Sequence, residues 1–372
     1  GLITIVYDVL GGIKAIIYSD IIQMIILTVV LIFILFYLTS IFGGFRSMFN
    51  YFPDQRNVNL NFFEHGLGDG KEFAFWPMLI GGFFLYMSYY GCDQSQMQKA
   101  LCAKNQNEGQ KVFFLNGIFR FPLVLLYCLI GVGIGSYSQI NADFISSLPK
   151  QDGIPNFNLA VPIFLIDNLP IGIVGLTLVA LFSAAMSSLD SVLNSLSAVT
   201  MEDFVKRIKT FRYLSEKNNL FISRVITLFW GSLAIILAFY VEDISSNVLI
   251  AINKIGSLIN GPIIGVFTLG ILTKKINGNS ACIGIICGFL FNLYCWVYLV
   301  NVSWLWWNAI GFVVTLKIAI VHDFFFSNFQ ANETFVWSLK SFKNLHFNNT
   351  WKTRYIILFI WFILIFSLIY FF

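Results

Sequence analysis

Long apolar runs dominate this chain, and they leave few ways for it to fold. Nine of them, at 15–40, 74–95, 112–137, 170–197, 219–241, 246–271, 279–300, 303–321 and 355–372, approach the length that crosses a bilayer. A helix of about 20 apolar residues spans the hydrocarbon core. No water is present there to bond a stray amide or carbonyl, so helices, which bond their own backbone, are the expected spanning element. The runs therefore predict an all-α polytopic membrane protein, with residues 1–372 forming one transmembrane domain. Composition agrees, with only 11% of residues charged and 58% hydrophobic, against about 25% charged in soluble domains. The net charge of +4 makes no case for nucleic acid, because most basic residues gather between the runs.

Those basic residues also predict a direction. Lys99, Lys104, Lys111, Lys206, Arg207, Lys209, Arg212, Lys217, Lys274, Lys275, Lys340, Lys343, Lys352 and Arg354 occupy every second loop. The alternate loops hold Arg46, Arg56, Lys71 and Lys150. The positive-inside rule then sets the odd-numbered runs to cross from the cytoplasm outward. Two long external segments follow, 41–72 and 138–169, the second expected to carry short surface helices. The six cysteines form no CxxC pair and read as small buried hydrophobes, neither a disulfide framework nor a metal site.

Polar residues inside the apolar runs carry the functional signal, since ionisable groups there are rare and expensive. In the fourth run, Ser187, Asp190, Ser191 and Asn194 recur at i, i+3, i+4 and i+7 and share one helical face. Ala184 lies one turn earlier. Each such group left unpaired in a membrane costs roughly 1–3 kcal/mol. Small polar faces also pack helices together, but a carboxylate, an amide and hydroxyls on one stripe suit a hard monovalent cation, which takes oxygen ligands.

Other positions admit two readings. Asp20 is either an acid favoured by a helix N-terminus or a carboxylate that meets the Ser187/Asp190 face. The segment Tyr86 to Gln98, where aromatics give way to amides around Gly91, is either a broken helix beside an aqueous cavity or an interfacial aromatic belt. Arg120 and Lys254 either snorkel to the surface or face the bundle interior. Asn253 precedes Asn260-Gly261-Pro262, an expected helix break. His322-Asp323 offers the pair a membrane enzyme would need, yet without supporting residues an interfacial role fits better. No phosphate-binding glycine loop is present.

Four blocks in order resemble the sodium:solute symporter family, which includes sodium/glucose cotransporters, proline and pantothenate permeases, and sialic acid transporters. They are Tyr7-Asp8-Val9-Leu10-Gly11-Gly12 with Tyr18-Ser19-Asp20-Ile21-Ile22-Gln23; Asp93-Gln94 with Gln98-Lys99; Leu169-Pro170 through Gly175-Leu176 to Ala184-Ala185-Met186-Ser187-Ser188; and Asn194-Ser195 leading to Thr200-Met201-Glu202-Asp203. The resemblance implies a LeuT-like inverted-repeat transporter core, with substrate and ion near the membrane midplane. It further implies that the first helices are missing, as expected of a sequence that opens on Gly1 without a leader. The implied activity is sodium-coupled symport of a small organic solute (a sugar, sialic acid, amino acid or carboxylate) across the cell membrane by alternating access, with Na+ as coupling ion, no cofactor and no enzymatic step.

Residue by residue, the resemblance makes Ala184 a backbone-carbonyl sodium ligand and Ser187 and Ser188 hydroxyl ligands. It puts Asp20 on the inner sodium path, in some relatives as part of a second sodium site with the positions of Ser187, Asp190 and Ser191. An acid at Asp190 departs from the all-hydroxyl pattern there, and would either strengthen cation binding or take a proton. Tyr89 matches an aromatic inner gate. Arg120 falls where sugar-transporting relatives carry a Lys, and its fork suits an anionic solute. Asn253 lies near a solute-contacting position.

Overall fold

The computed structural model describes residues 1–53, 61–151, 153–211, 215–239, 248–273, 276–326 and 349–371. Arg56, Arg212, Lys274, Lys275, Lys340 and Lys343, used above for orientation, lie outside these residues. In chain order the helices are α1 (Leu2–Ile41), α2 (Phe45–Asn50), α3 (Gly82–Gly91), α4 (Gln94–Leu101), α5 (Gln106–Ile140), α6 (Ala142–Ser147) and α7 (Ala160–Asn168). There follow α8 (Ile171–Val199), α9 (Glu216–Ala238), α10 (Val248–Leu272), α11 (Gly278–Tyr298), α12 (Trp306–Phe326) and α13 (Asn349–Phe371). The described strand content is one two-residue hairpin, Lys150–Gln151 against Ile154–Pro155.

Helix ends follow local chemistry. The Asn105 side chain accepts from the Glu108 amide at 2.9 Å and opens α5. Ser215 and Asn277 cap α9 and α11 in the same way, each satisfying an amide the helix itself cannot. Asp323, near the end of α12, accepts from the Asn277 amide at 2.8 Å and from Ser280 Oγ at 3.0 Å. Ser280 also lies 3.0 Å from His322 Nδ1. The His322-Asp323 pair thus fastens the start of α11.

Among the described residues eight helices are long and apolar enough to cross a membrane. Eight of the nine expected runs have such a helix, and 74–95 does not. That stretch is helical from 75 to 91 but opens on a π-turn at Pro77–Gly81 and stops at Gly91. Pro77 cannot donate to the helical ladder. At the other end Asp93, Gln94, Ser95 and Gln96 favour a fresh start: Asp93 Oδ1 accepts from the Ser95 amide at 2.8 Å and caps α4. Of the two readings of this segment, the structure has the broken helix.

The chain divides into two compact units, Gly1–Val58 with Gln98–Ser246, and Asn59–Met97 with Asn247–Phe372. In the first, Leu27, Val30, Ile34 and Leu38 of α1 recur every three or four residues and pack with Ile130 and Ile134 of α5, Phe164 and Leu165 of α7, and Ala180 of α8. Helices α6 and α7 are the short helices expected in 138–169. Tyr137 donates to Asn168 Oδ1 at 2.9 Å, and Ser136 donates to the Met48 carbonyl at 2.7 Å.

The second unit is built on α10, α11 and α12, packed so closely that glycine is required. A methyl on Gly261 would come within 2.1 Å of the Asn308 carbonyl, and one on Gly288 within 2.1 Å of Thr315 Oγ1. Asn292 donates to the Leu258 carbonyl at 3.0 Å, and Asn308 to Ser257 Oγ at 3.0 Å. Pro262 lies inside α10, which continues through it; the expected break at Asn260-Gly261-Pro262 is absent because neighbouring helices pack against the freed backbone.

Candidate functional site

The polar stripe of α8 faces α1 inside the first unit. Its serines are back-bonded: Ser188 donates to the Ala184 carbonyl at 3.2 Å, Ser191 to Ser187 at 3.0 Å and Ser195 to Ser191 at 2.7 Å. This is how a hydroxyl inside a helix disposes of its hydrogen where no water is available. The oxygen keeps lone pairs for another partner. Ser191 and Asp190 are buried, Ala184, Ser187 and Asn194 half-buried, and Ser188 exposed.

Asp20 comes from α1 to meet this stripe. Ser187 Oγ donates to Asp20 Oδ1, and Lys99 Nζ lies 2.6 Å from Asp20 Oδ2. Asp20 sits a little over a turn into the spanning helix Ala15–Ile41 that follows the kink at Gly12, and it meets the Ser187 face, as the second reading expected. The Gln98 side chain, beside Lys99, lies 3.1 Å from Ser195 Oγ. One acid, one ammonium and one hydroxyl thus tie α1, α4 and α8 together.

A second polar cluster lies nearer the start of α1. Tyr7 donates its hydroxyl to Asp190 Oδ2. Asp190 is fully buried, and its other oxygen has no partner. Asp8 is 6% exposed, and neither of its carboxylate oxygens has a hydrogen-bond partner. Sequence reasoning passed over Thr4, Tyr7, Asp8 and Lys99 as site residues, because the apolar run was read as starting at residue 15, after Gly11-Gly12. In the structure a short apolar helix, Leu2–Ile13, precedes the spanning helix Ala15–Ile41, and the two join across a kink at Gly12, whose φ of 55° suits glycine. The overlooked signal was an ionisable residue within the apolar string Leu2 to Leu10.

Three candidates remain. Arg120 is exposed on α5 in the first unit. Tyr89 and Asn253 belong to the second unit. Tyr89 accepts from Gln96 Nε2 at 2.9 Å across the α3–α4 break, with its ring 5.0 Å from that of Tyr90. Asn253 is exposed on α10. Its neighbour Lys254 points into a cavity of about 480 Å³ lined by Glu72, Trp296, Asn301, Ser303 and Trp307. There its ammonium lies 3.4 Å from Glu72 and 5.9 Å from the centre of the Trp307 ring, so Lys254 is engaged inside its unit. Among the described residues no three of His, Cys, Asp and Glu converge as a divalent or transition-metal site would need.

The sequence model of the sodium:solute symporter family matches residues 1–288. Sodium-coupled monocarboxylate transporter 1 of Homo sapiens is 29% identical over 79% of this chain and 47% of its own. The sodium/sialic acid symporter NanT of Aliivibrio fischeri is 27% identical over 86% of this chain and 61% of its own. The sodium-dependent multivitamin transporter of Oryctolagus cuniculus is 28% identical over 85% and 46%. The chain thus spans about half the length of the curated relatives it matches. Among solved structures, a Na+-coupled sialic acid symporter in a substrate-bound, outward-open state superimposes with a TM-score of 0.74 at 22% identity, covering 89% of this chain and 66% of that one. The fold is accordingly the LeuT-like one, in a multi-pass membrane protein. These relatives are transporters, not enzymes.

Proposed function

We propose, because this chain belongs to the sodium:solute symporter family, that the full-length protein carries a small organic solute across the cell membrane by sodium-coupled symport, with residues 1–372 forming part of one transporter domain. The observation that carries the reading is the meeting of Asp20 on α1 with Ser187 on α8, 167 residues apart in sequence. Two membrane-depth helices here turn oxygen-bearing side chains toward each other, where an apolar contact would pack at lower cost. In this reading Ala184, Ser187 and Ser188 hold one Na+ through a carbonyl and two hydroxyls. Asp20, Asp190 and Ser191 guide or hold Na+ further along the same face.

The energetics suffice. Each Na+ moving inward gains about 2.3 kcal/mol per 100 mV of membrane potential. At about 1.4 kcal/mol per factor of ten, that alone sustains a solute gradient of about fiftyfold per ion. Coupling requires the ion to bind the solute-competent state better than the alternative. Tyr89, at the break between α3 and α4, serves as the gate, and Arg120 contacts the solute. The names of the relatives include a monocarboxylate, a sialic acid and a vitamin transporter. A guanidinium at Arg120 favours solutes with a carboxylate.

The test is an uptake screen of labelled carboxylates, sialic acids, amino acids and sugars in vesicles holding the full-length protein, with Na+ outside or replaced by choline. Uptake of at least one solute is expected to depend on Na+. Uptake indifferent to that replacement would overturn the proposal.

A further inference from the structure

The oxygens of Thr4 and Asp8 at the start of α1 have no place in the sodium set above, and they are buried without partners. Thr4 and Asp8 stand one helical turn apart on one face. Thr4 is fully buried and its hydroxyl has no partner. Asp8 is buried with both oxygens free, and Asp190 is buried with Oδ1 free. Four unpartnered oxygens, three of them on carboxylates, thus occur in one stretch of the α1–α8 contact.

Register places them at a three-helix junction. Tyr7 points to α8, where it reaches Asp190. Ile5 points to α9, where its side chain fills the space above Gly231. Thr4 and Asp8 fall between those two directions on the helical wheel, where α1, α8 and α9 meet. Charge is unbalanced there. Lys99 pairs with Asp20, whereas the described residues provide no ion-pair partner for Asp8 or Asp190. Buried carboxylates without cations cost far more than unpaired neutral groups, so a positive charge belongs at this junction.

We propose that Thr4 and Asp8, with the free Oδ1 of Asp190, hold a monovalent cation, one site beyond the ion at Ala184, Ser187 and Ser188, so that Asp190 stands between this site and the sodium path. A single proton on Asp8 would satisfy one oxygen and leave the others bare. A Na+ ion takes several oxygens at once, carboxylate and hydroxyl together. A divalent ion does not fit, because among the described residues no third His, Cys, Asp or Glu joins the two carboxylates. The Tyr7 hydroxyl, donating to Asp190 Oδ2, holds that carboxylate so that Oδ1 is turned to the ion. This site rests on the symport reading but stands or falls separately from it.

The experiment titrates Na+ against the purified full-length protein and reads the Na+-dependent rise in thermal midpoint alongside the Na+ dependence of uptake. Parent, Asp8→Asn, Thr4→Val and Ser187→Ala are compared, with K+ and choline as control cations. Asp8→Asn is expected to raise the half-saturating Na+ concentration about tenfold and lower the Hill coefficient toward one. Thr4→Val keeps shape and removes only a neutral oxygen, and is expected to raise that concentration about threefold. Should Asp8→Asn fail to fold, Thr4→Val decides alone. Na+ titrations of Asp8→Asn and Thr4→Val that superimpose on the parent's would overturn the site. So would an Asp8→Asn protein that loses only a pH dependence, since the junction would then hold a proton. A Ser187→Ala protein with unaltered Na+ dependence would instead strike at the symport reading.

Discussion

The α1–α8 face of the first unit and the α10–α12 stack of the second both bury polar side chains at membrane depth, but they bury different kinds. In the stack the buried groups left without partners are neutral. Asn292 and Asn308 each donate across a helix contact while their oxygens stay unpartnered, and the seam is dense enough to require Gly261 and Gly288. In the α1–α8 face the groups are carboxylates and serines, and the unpartnered atoms include oxygens of Asp8 and Asp190. An unpaired neutral oxygen costs a few kcal/mol, which dense packing offsets, whereas an unpaired buried carboxylate costs far more. The contrast separates polar groups that specify how helices pack from polar groups that await a cation.

The largest expected effect falls on the stack. Gly261→Ala puts a methyl into the Asn308 carbonyl, which cannot yield, so thermal unfolding in detergent should show a loss of about 1–3 kcal/mol. Gly256→Ala, whose new methyl would meet only Asn260 Nδ2 at 3.6 Å, should leave the midpoint near the parent's. If the two variants melt alike, the stack is not held by close packing. Next comes Asp20→Asn, which removes the charge paired with Lys99. Half-saturating Na+ should rise about tenfold with the fold intact by circular dichroism, and an unchanged Na+ curve would remove Asp20 from the ion path.

Ser187→Ala deletes one neutral ligand and should weaken Na+ activation about fivefold, as read from initial uptake rates against Na+. Arg120→Ala sharpens the comparison from outside both regions. Its solute KM should rise about threefold with the Na+ constant unmoved, and equal KM values would discard it as a contact. The smallest effect belongs to the loop at His65 to Lys71. Asp69 accepts amides from Gly66, His65 and Lys71 at 2.9, 2.9 and 3.1 Å. Those bonds, Gly66's foremost, hold its carboxyl down to about 2, against an ordinary 3.8. Because the folded value is the lower one, the loop's added stability is complete above about pH 4 and disappears as pH falls through about 2. Proton spectra of these amides should stay dispersed at pH 4 and collapse near pH 2, and collapse already at pH 4 would refute the clasp.

Much of this architecture was legible in the chain. Apolar length announced the spanning helices, and polar spacing announced the α8 stripe, because both are properties of one helix read along its own axis. The 74–95 run fell short of a full span because a π-turn and an early stop at Gly91 are local backbone events that hydropathy does not register. The second cluster escaped because only the spanning helix was read. The boundary at the glycine pair is real, a kink at Gly12 between two helices, and the short apolar helix before it carries Thr4 and Asp8 into a buried setting.

By itself, then, the sequence determined that the chain crosses a membrane many times, and which face of the fourth run is polar. Only tertiary structure decided which acid meets which hydroxyl: Asp20 with Ser187 and Lys99, and Tyr7 with Asp190. The physical reason is range. Helical periodicity is written every 3.6 residues, whereas the rotation of one helix against another is set by how whole side-chain surfaces interlock, and that is where a buried charge finds or lacks its partner.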